Sequence, residues 1–175
     1  MTTDLRFPIG KFARPAALTA EERTAAIARI AAHPAALRAA VQGLDDAQLN
    51  TPYRPDGWTV RQLVHHMADS HINAYARTRM ALTEATPTIK PYDEEPWAEL
   101  WDARSLPVEV SLGLVDGLHE RWVALLRHLE PAAFARTMVH PANGPMTIDV
   151  QLALYAWHCE HHVAHVTALR SRNGW

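Results

Sequence analysis

The segment Thr147–Arg172, TIDVQLALYAWHCEHHVAHVTALRSR, decides how this chain folds. Thr147 is an N-cap residue, Asn173 and Gly174 follow as stop signals, and nothing between them interrupts a helix. At about 100° per residue, Leu154, Tyr155, His158, His162, Val166 and Leu169 fall on one stripe. His158 and His162 therefore sit one turn apart on the face that should be buried. His165 lies close to the same stripe and His161 toward its edge, so periodicity prefers the pair without excluding the other two. Cys159 falls on the flank and Glu160 points almost opposite. A catalytic Cys/His pair made from neighbours 158 and 159 would be badly directed, because adjacent helical side chains do not face each other.

Working outward, Thr59 with Gln62 has the form of a capping box and opens a helix over roughly 59–85, ending before Pro87. Its apolar stripe is Val60, Leu63, Val64, Met67, Ala74, Tyr75 and Leu82, with His71 inside it. Beside that stripe runs a polar row, His66, Ser70, Asn73 and Arg77, of the kind that borders a cavity or a partner surface. His65 groups with Arg61 and Asp69 on what reads as the solvent face, so His66 is the candidate of the two adjacent histidines. Thr19 and Glu22 cap an Ala/Leu/Ile-rich helix to about Gly43, which Pro34 should interrupt or kink into two pieces. Ser105 is placed to cap a further helix, with Pro107 in its first turn, Leu112, Val115, Leu118, Trp122, Leu125 and Leu129 on its apolar face, and an end near Pro131. Four long helical patterns, and no convincing period-two strand, predict an all-α four-helix bundle. Between its second and third helices lies a long proline-bearing connection with one short helical turn near Trp97 to Trp101, and residues 1–18 form an extended arm.

At 175 residues, with 48% apolar and 21% charged, the chain has the size and composition of one globular domain spanning 1–175. The formal net charge of −2 provides no basic field, which argues against nucleic acid and membrane surfaces as partners. No targeting or membrane-spanning segment is evident, so the expected location is cytoplasmic, and a single cysteine agrees with a reducing compartment. Against this ordinary background the count of eleven histidines stands out.

A histidine pair at i and i+4, joined by one histidine from a facing helix, supplies three convergent imidazoles. Neutral imidazole suits zinc, nickel, copper or iron, and three protein ligands leave a position for water or substrate. The alternative is a set of interior histidines satisfied by hydrogen bonds.

The stretches PIG, TPYRPDGWTVRQLVHHMADSH, ALTEATPTIKPYDEEPWAEL, LHERWVALLRHL and YAWHCEHHVAHVTALRSRNGW resemble the YfiT-like branch of the DinB family, nearly end to end. That resemblance implies a four-helix bundle binding a divalent metal, zinc or nickel, through three histidines. Matched residue by residue, these are His66, His158 and His162. It also implies an enzyme acting on a small molecule, either a metal-dependent hydrolase or a transferase using a low-molecular-weight thiol such as bacillithiol. In both chemistries a bound metal lowers the pKa of water or of a thiol; a metal-binding structural or sensory module without turnover is the non-enzymatic alternative. Around such a site Asn73 and Arg77 are candidates to receive a substrate carboxylate or to join an ion pair between helices, and Tyr92, Asp93 and Glu94 to line the pocket, to bond a ligand histidine or simply to pack the loop. His161 and His165 are read as groups supporting the ligands, as proton shuttles, or as the face toward a second subunit in an expected homodimer. Cys159 is read as a small buried hydrophobe rather than a nucleophile.

Overall fold

A computed structural model describes residues 4–175, and four long helices dominate it: α1 (Ala20–Val41), α3 (Val60–Thr83), α6 (Val108–Arg127) and α7 (Ile148–Asn173). Short helices α2 (Asp46–Leu49), α4 (Glu94–Ala98) and α5 (Trp101–Ser105) occupy the connections. α1 packs on α6 and α7, and α3 packs on the same two, which closes a four-helix bundle. The expected caps form: Thr19 with Glu22 and Thr59 with Gln62 make reciprocal capping boxes, and Thr147 accepts from the Val150 amide. Gly174 ends α7 in the left-handed region at φ 71°, where a side chain would be strained. Over residues 4–18 the expected arm contains no helix or strand, and residues 1–3 lie outside the described residues. No helix among the described residues is long and apolar enough to cross a membrane.

The expected break at Pro34 does not occur, since α1 runs through it without interruption. Proline removes the amide that would bond the carbonyl four residues earlier, that of Ile30. In this fold the freed oxygen accepts from Nδ1 of His119 on α6, at 2.8 Å. The lost intrahelical bond is thus replaced by one between helices.

Two further expectations are corrected. Ser105 ends α5 instead of capping α6, whose N-cap is Pro107, and α6 stops at Arg127. The segment before α7 is not a plain loop, because Thr137–His140 (β1) and Gly144–Thr147 (β2) pair antiparallel with Met138 opposite Met146. The hairpin is only four residues a side, too short for periodicity to reveal, and it is held by neighbours. Val139 exchanges backbone hydrogen bonds with the 87–89 segment, and Arg136 closes the end of α3 by donating to the carbonyls of Ala81 and Glu84. This arrangement seats the hairpin against α3 and α7.

The core is divided. One apolar cluster contains Ile30 of α1, Ala74 of α3, Trp122 of α6 and Tyr155 and Cys159 of α7. A second contains Leu37, Met67, Val115 and Val166 from the same four helices. At the boundary each helix contributes histidine: His33, His71 (with His66 nearby), His119, and the pair His158 and His162. His33 is 2% exposed and neither of its ring nitrogens has a protein partner.

The His33 site fixes the sign of a pH dependence. Burial holds the folded imidazole down to about 3, against 6.5 in the unfolded chain. Between these values the unfolded state binds more protons, so this contribution is complete above 6.5 and is lost as pH falls toward 3. His33→Leu, which replaces the two orphaned nitrogens with hydrocarbon, is expected to raise stability at pH 5 by about 1 kcal/mol and to flatten the acid slope. Urea titrations between pH 7 and pH 4 test this; an unchanged slope would contradict it.

Candidate metal centre

His66 of α3 meets His158 and His162 of α7, with one ligand-type atom of each lying within 4.8 Å of the others. The ring centroids of His66 stand 5.5 Å from His158 and 5.1 Å from His162, and those of His158 and His162 are 4.4 Å apart. Burial lowers the pKa of all three, to about 4 for His66 and well below the ordinary imidazole value for the other two, where neighbouring histidines add to the effect. Near neutral pH the rings are therefore uncharged and keep a lone pair. Trp58 lies over His66 at 4.7 Å between centroids, and its indole N–H donates to Glu95. Trp58 is delivered by the turn Arg54–Gly57, where a Cβ on Gly57 would come 2.7 Å from Arg54 Cγ and 3.2 Å from its carbonyl oxygen.

The hydrogen atoms on His158 can be deduced by following hydrogen bonds inward from α1. The Ile30 carbonyl can only accept, so Nδ1 of His119 carries a proton. In neutral His119, Nε2 is then an acceptor, and it lies 2.7 Å from Nδ1 of His71, which must donate. Nε2 of His71 is in turn an acceptor for Nδ1 of His158, at 3.1 Å. His158 is left with its lone pair on Nε2, which faces Nε2 of His66 at 3.4 Å. Two such nitrogens are compatible when His66 carries a proton there or when a cation lies between them. The donor set thus fits a divalent ion that prefers neutral imidazole.

A second trio, His33, His71 and Cys159, also brings ligand-type atoms within 4.8 Å. Both nitrogens of His71 are already engaged, however, which leaves that trio only two free donors. Cys159 is 1% exposed, and burial pushes its thiol pKa up, so it is a poor nucleophile.

The three histidines line one wall of a cavity of ≈ 370 Å³, a size suited to a small molecule. Ser70, Tyr155 and Gln151 continue that wall. Arg77, Tyr92 and Glu94 line the cavity, but Asn73 and Asp93 do not. The Asn73 amide bonds its own helix at Asp69 O, and Asp93 is an exposed N-cap residue. His65 is not on a solvent face. It is 6% exposed, bonded to Ser111 Oγ and Leu106 O, because the α5–α6 connection covers that side of α3. Arg61 is buried there too, donating to Asn50, Asp46 and the Leu106 carbonyl. His161 and His165 bond each other at 3.1 Å beneath the chain's own residues, His161 against Trp157 and Phe7 of the arm and His165 against Tyr53. Sequence reading gave no role to His119, whose signal was Pro34 and its orphaned acceptor. It also missed His140 and Asn143, which the hairpin carries to the cavity rim.

A histidine-lined cavity in a four-helix bundle defines the class of protein, and comparison with known proteins places it within that class. Residues 29–166 match the family model described as the DinB superfamily. A Bacillus mycoides protein named "Putative metal-dependent hydrolase" is 52% identical over 172 residues, covering 98% of this chain and 99% of that one. A Bacillus cereus protein of the same description is also 52% identical, with the same coverage. Among solved structures, YfiT from Bacillus subtilis, described as a "probable metal-dependent hydrolase with an unusual four-helix bundle topology", has a TM-score of 0.96 and 45% identity over 99% of both chains. A four-helix bundle protein at 22% identity, TM-score 0.54, shares the fold over 85% of this chain and 98% of its own. The chain belongs to the DinB superfamily.

The hydrogen-bond order yields an expected spectrum. Long-range proton–nitrogen correlation of the metal-free protein should show His119, His71 and His158 all as the Nδ1–H tautomer, and His119→Ala should disturb the nitrogen shifts of His71 and His158. An Nε2–H tautomer at His158 in the unaltered protein would contradict the deduced order.

Proposed function

We propose that the chain is a metal-dependent enzyme in which His66, His158 and His162 hold a divalent ion, zinc or nickel, and that it transfers the sulfur of a low-molecular-weight thiol to an electrophilic small molecule. The observation that carries this reading is the meeting of three neutral imidazoles at the wall of a cavity large enough for a substrate. When bound, the metal supplies Lewis acidity, making a thiol or water at its open position easier to deprotonate.

The rest of the work falls to the chain. The His119–His71 pair fixes the ring of His158 with its lone pair toward the site. Trp58 covers His66 and limits the water that reaches it. Tyr155, whose hydroxyl burial keeps protonated, lies beside Ser70 on the cavity wall, where its O–H can donate to a group gaining negative charge. With a haloarene as electrophile the step balances simply. A C–S bond forms, the carbon–halogen bond breaks, halide leaves with the electron pair, and the thiol proton passes to solvent. Sulfur has to come from a co-substrate, because Cys159 is buried away from the cavity lining.

The names of the Bacillus relatives favour a second reading, in which the same site activates water for hydrolysis.

Two measurements test these assignments. His66→Ala, His158→Ala and His162→Ala should each lower bound metal from about one per chain to a small fraction, whereas His65→Ala, outside the site, should retain it. His119→Ala should weaken metal affinity by roughly ten- to a hundredfold, the usual effect of losing a group that orients a ligand. Loss of metal in His65→Ala with retention in His66→Ala would overturn the assignment. For the reaction, metal-loaded protein, a panel of thiols including bacillithiol, and a haloarene should release halide as thiol is consumed, with Cys159→Ser nearly as active. Cleavage of esters or amides at full rate without any thiol would establish the hydrolytic reading instead.

A further inference from the structure

Arg77 is the one arginine in the cavity wall that is buried, at 9% exposed. Its Nη2 donates to the backbone carbonyl of Lys90 at 3.1 Å, and its Nε is buried with no partner. Among the described residues it joins none of the ion pairs found within 4.0 Å. The comparison with Arg61 is instructive: that guanidinium is also buried, but Asp46, Asn50 and the Leu106 carbonyl occupy it. Arg23, half-buried at the edge of the core, has a two-point contact with Asp149. Of these three guanidiniums only that of Arg77 has no anionic partner and keeps a buried Nε without an acceptor; Arg54, which also lines the cavity, is half-buried. A guanidinium removed from water with one neutral acceptor is costly unless an anion completes it.

Its position suits a ligand. Arg77 lies eleven residues beyond His66 on α3, roughly 16 Å along the axis, and helical side chains lean back toward the N-terminus. Arg77, Ser70 and His66 all open on the same cavity, so a molecule with its reacting group at the histidines can extend its other end to Arg77. The acidic groups of the cavity, Asp56, Glu94 and Glu95, are solvent-exposed and do not pair with it.

We propose that Arg77 forms an anion subsite, and that the substrate or thiol co-substrate carries a carboxylate that it receives. A planar carboxylate matches the guanidinium edge, where two parallel N–H donors give direction as well as charge. This assignment rests on the reading of the cavity as the substrate site, but anion binding can be measured without turnover.

The test uses the full-length protein, with acetate and inorganic phosphate as probes and the Arg77 side-chain Nε–H resonance as the readout. Acetate should shift that resonance saturably in metal-free and metal-loaded protein alike, and Arg77→Gln should abolish the binding while helix content and metal content stay normal. Arg77→Lys, which keeps the charge but not the two-point geometry, should bind acetate about tenfold more weakly. In turnover, the ratio of rates for mercaptoacetate and mercaptoethanol, thiols of similar size with and without a carboxylate, should fall about tenfold in Arg77→Gln. Acetate and phosphate both without effect on Arg77, or a ratio unchanged in the variant, overturns the anion subsite. Phosphate saturating the resonance where acetate does not overturns the carboxylate assignment. Saturable acetate binding in a protein that turns over no thiol upholds the subsite and refutes the thiol-transfer reading alone.

Discussion

Six imidazoles packed between two apolar clusters impose the constraint around which this bundle is built. Each ring must remain neutral, because charging it in the core is expensive, and each nitrogen needs an occupant. For His119, His71 and His158 the structure meets this demand with a directed series of hydrogen bonds that starts at a backbone oxygen released by proline, while both nitrogens of His33 stay without a protein partner. Pro34 leaves the Ile30 carbonyl free, His119 takes it, His71 bonds His119, and His158 bonds His71. Because the first acceptor cannot donate, every later proton is placed. The only lone pair left over at the end of the series is on Nε2 of His158, where the other two histidines converge. A proline that should weaken a helix therefore ties α1 to the candidate site.

Much of this was legible in the sequence, for identifiable reasons. Capping boxes at Thr19 and Thr59 and the cap at Thr147 set three helix starts, since those signals are local. The stripe of α7 placed His158 and His162 on a buried face because a long regular helix preserves its phase over many residues. The same reasoning misjudged His65, which depends on the α5–α6 connection lying over α3, a long-range fact that periodicity does not contain. Pro34 was read by its local propensity alone, and the rescue of Ile30 by a residue 89 positions away is invisible at that level. Asn73 kept to its helical row in angle, but its amide found a nearer acceptor in the backbone of its own helix. The hairpin was missed because four residues a side carry almost no periodic signal, yet it supplies part of the cavity rim.

Membership in the DinB superfamily and the similarity to YfiT account for the bundle, while the side chains facing the cavity are what could distinguish one chemistry from another. Here three histidines converge at the cavity, and Arg77, which forms no ion pair among the described residues, lines the same cavity. Cys159, the most obvious nucleophile by residue type, is sealed in the apolar cluster.

The most direct test of the metal assignment is X-ray absorption at the metal edge of protein loaded with one equivalent of zinc or nickel. The account predicts imidazole scattering from three histidines with only nitrogen or oxygen in the first sphere, at about 2.0–2.1 Å for zinc. A sulfur neighbour near about 2.3 Å would place the ion with His33 and Cys159 instead, and would contradict both the site and the hydrogen-bond order deduced for His71.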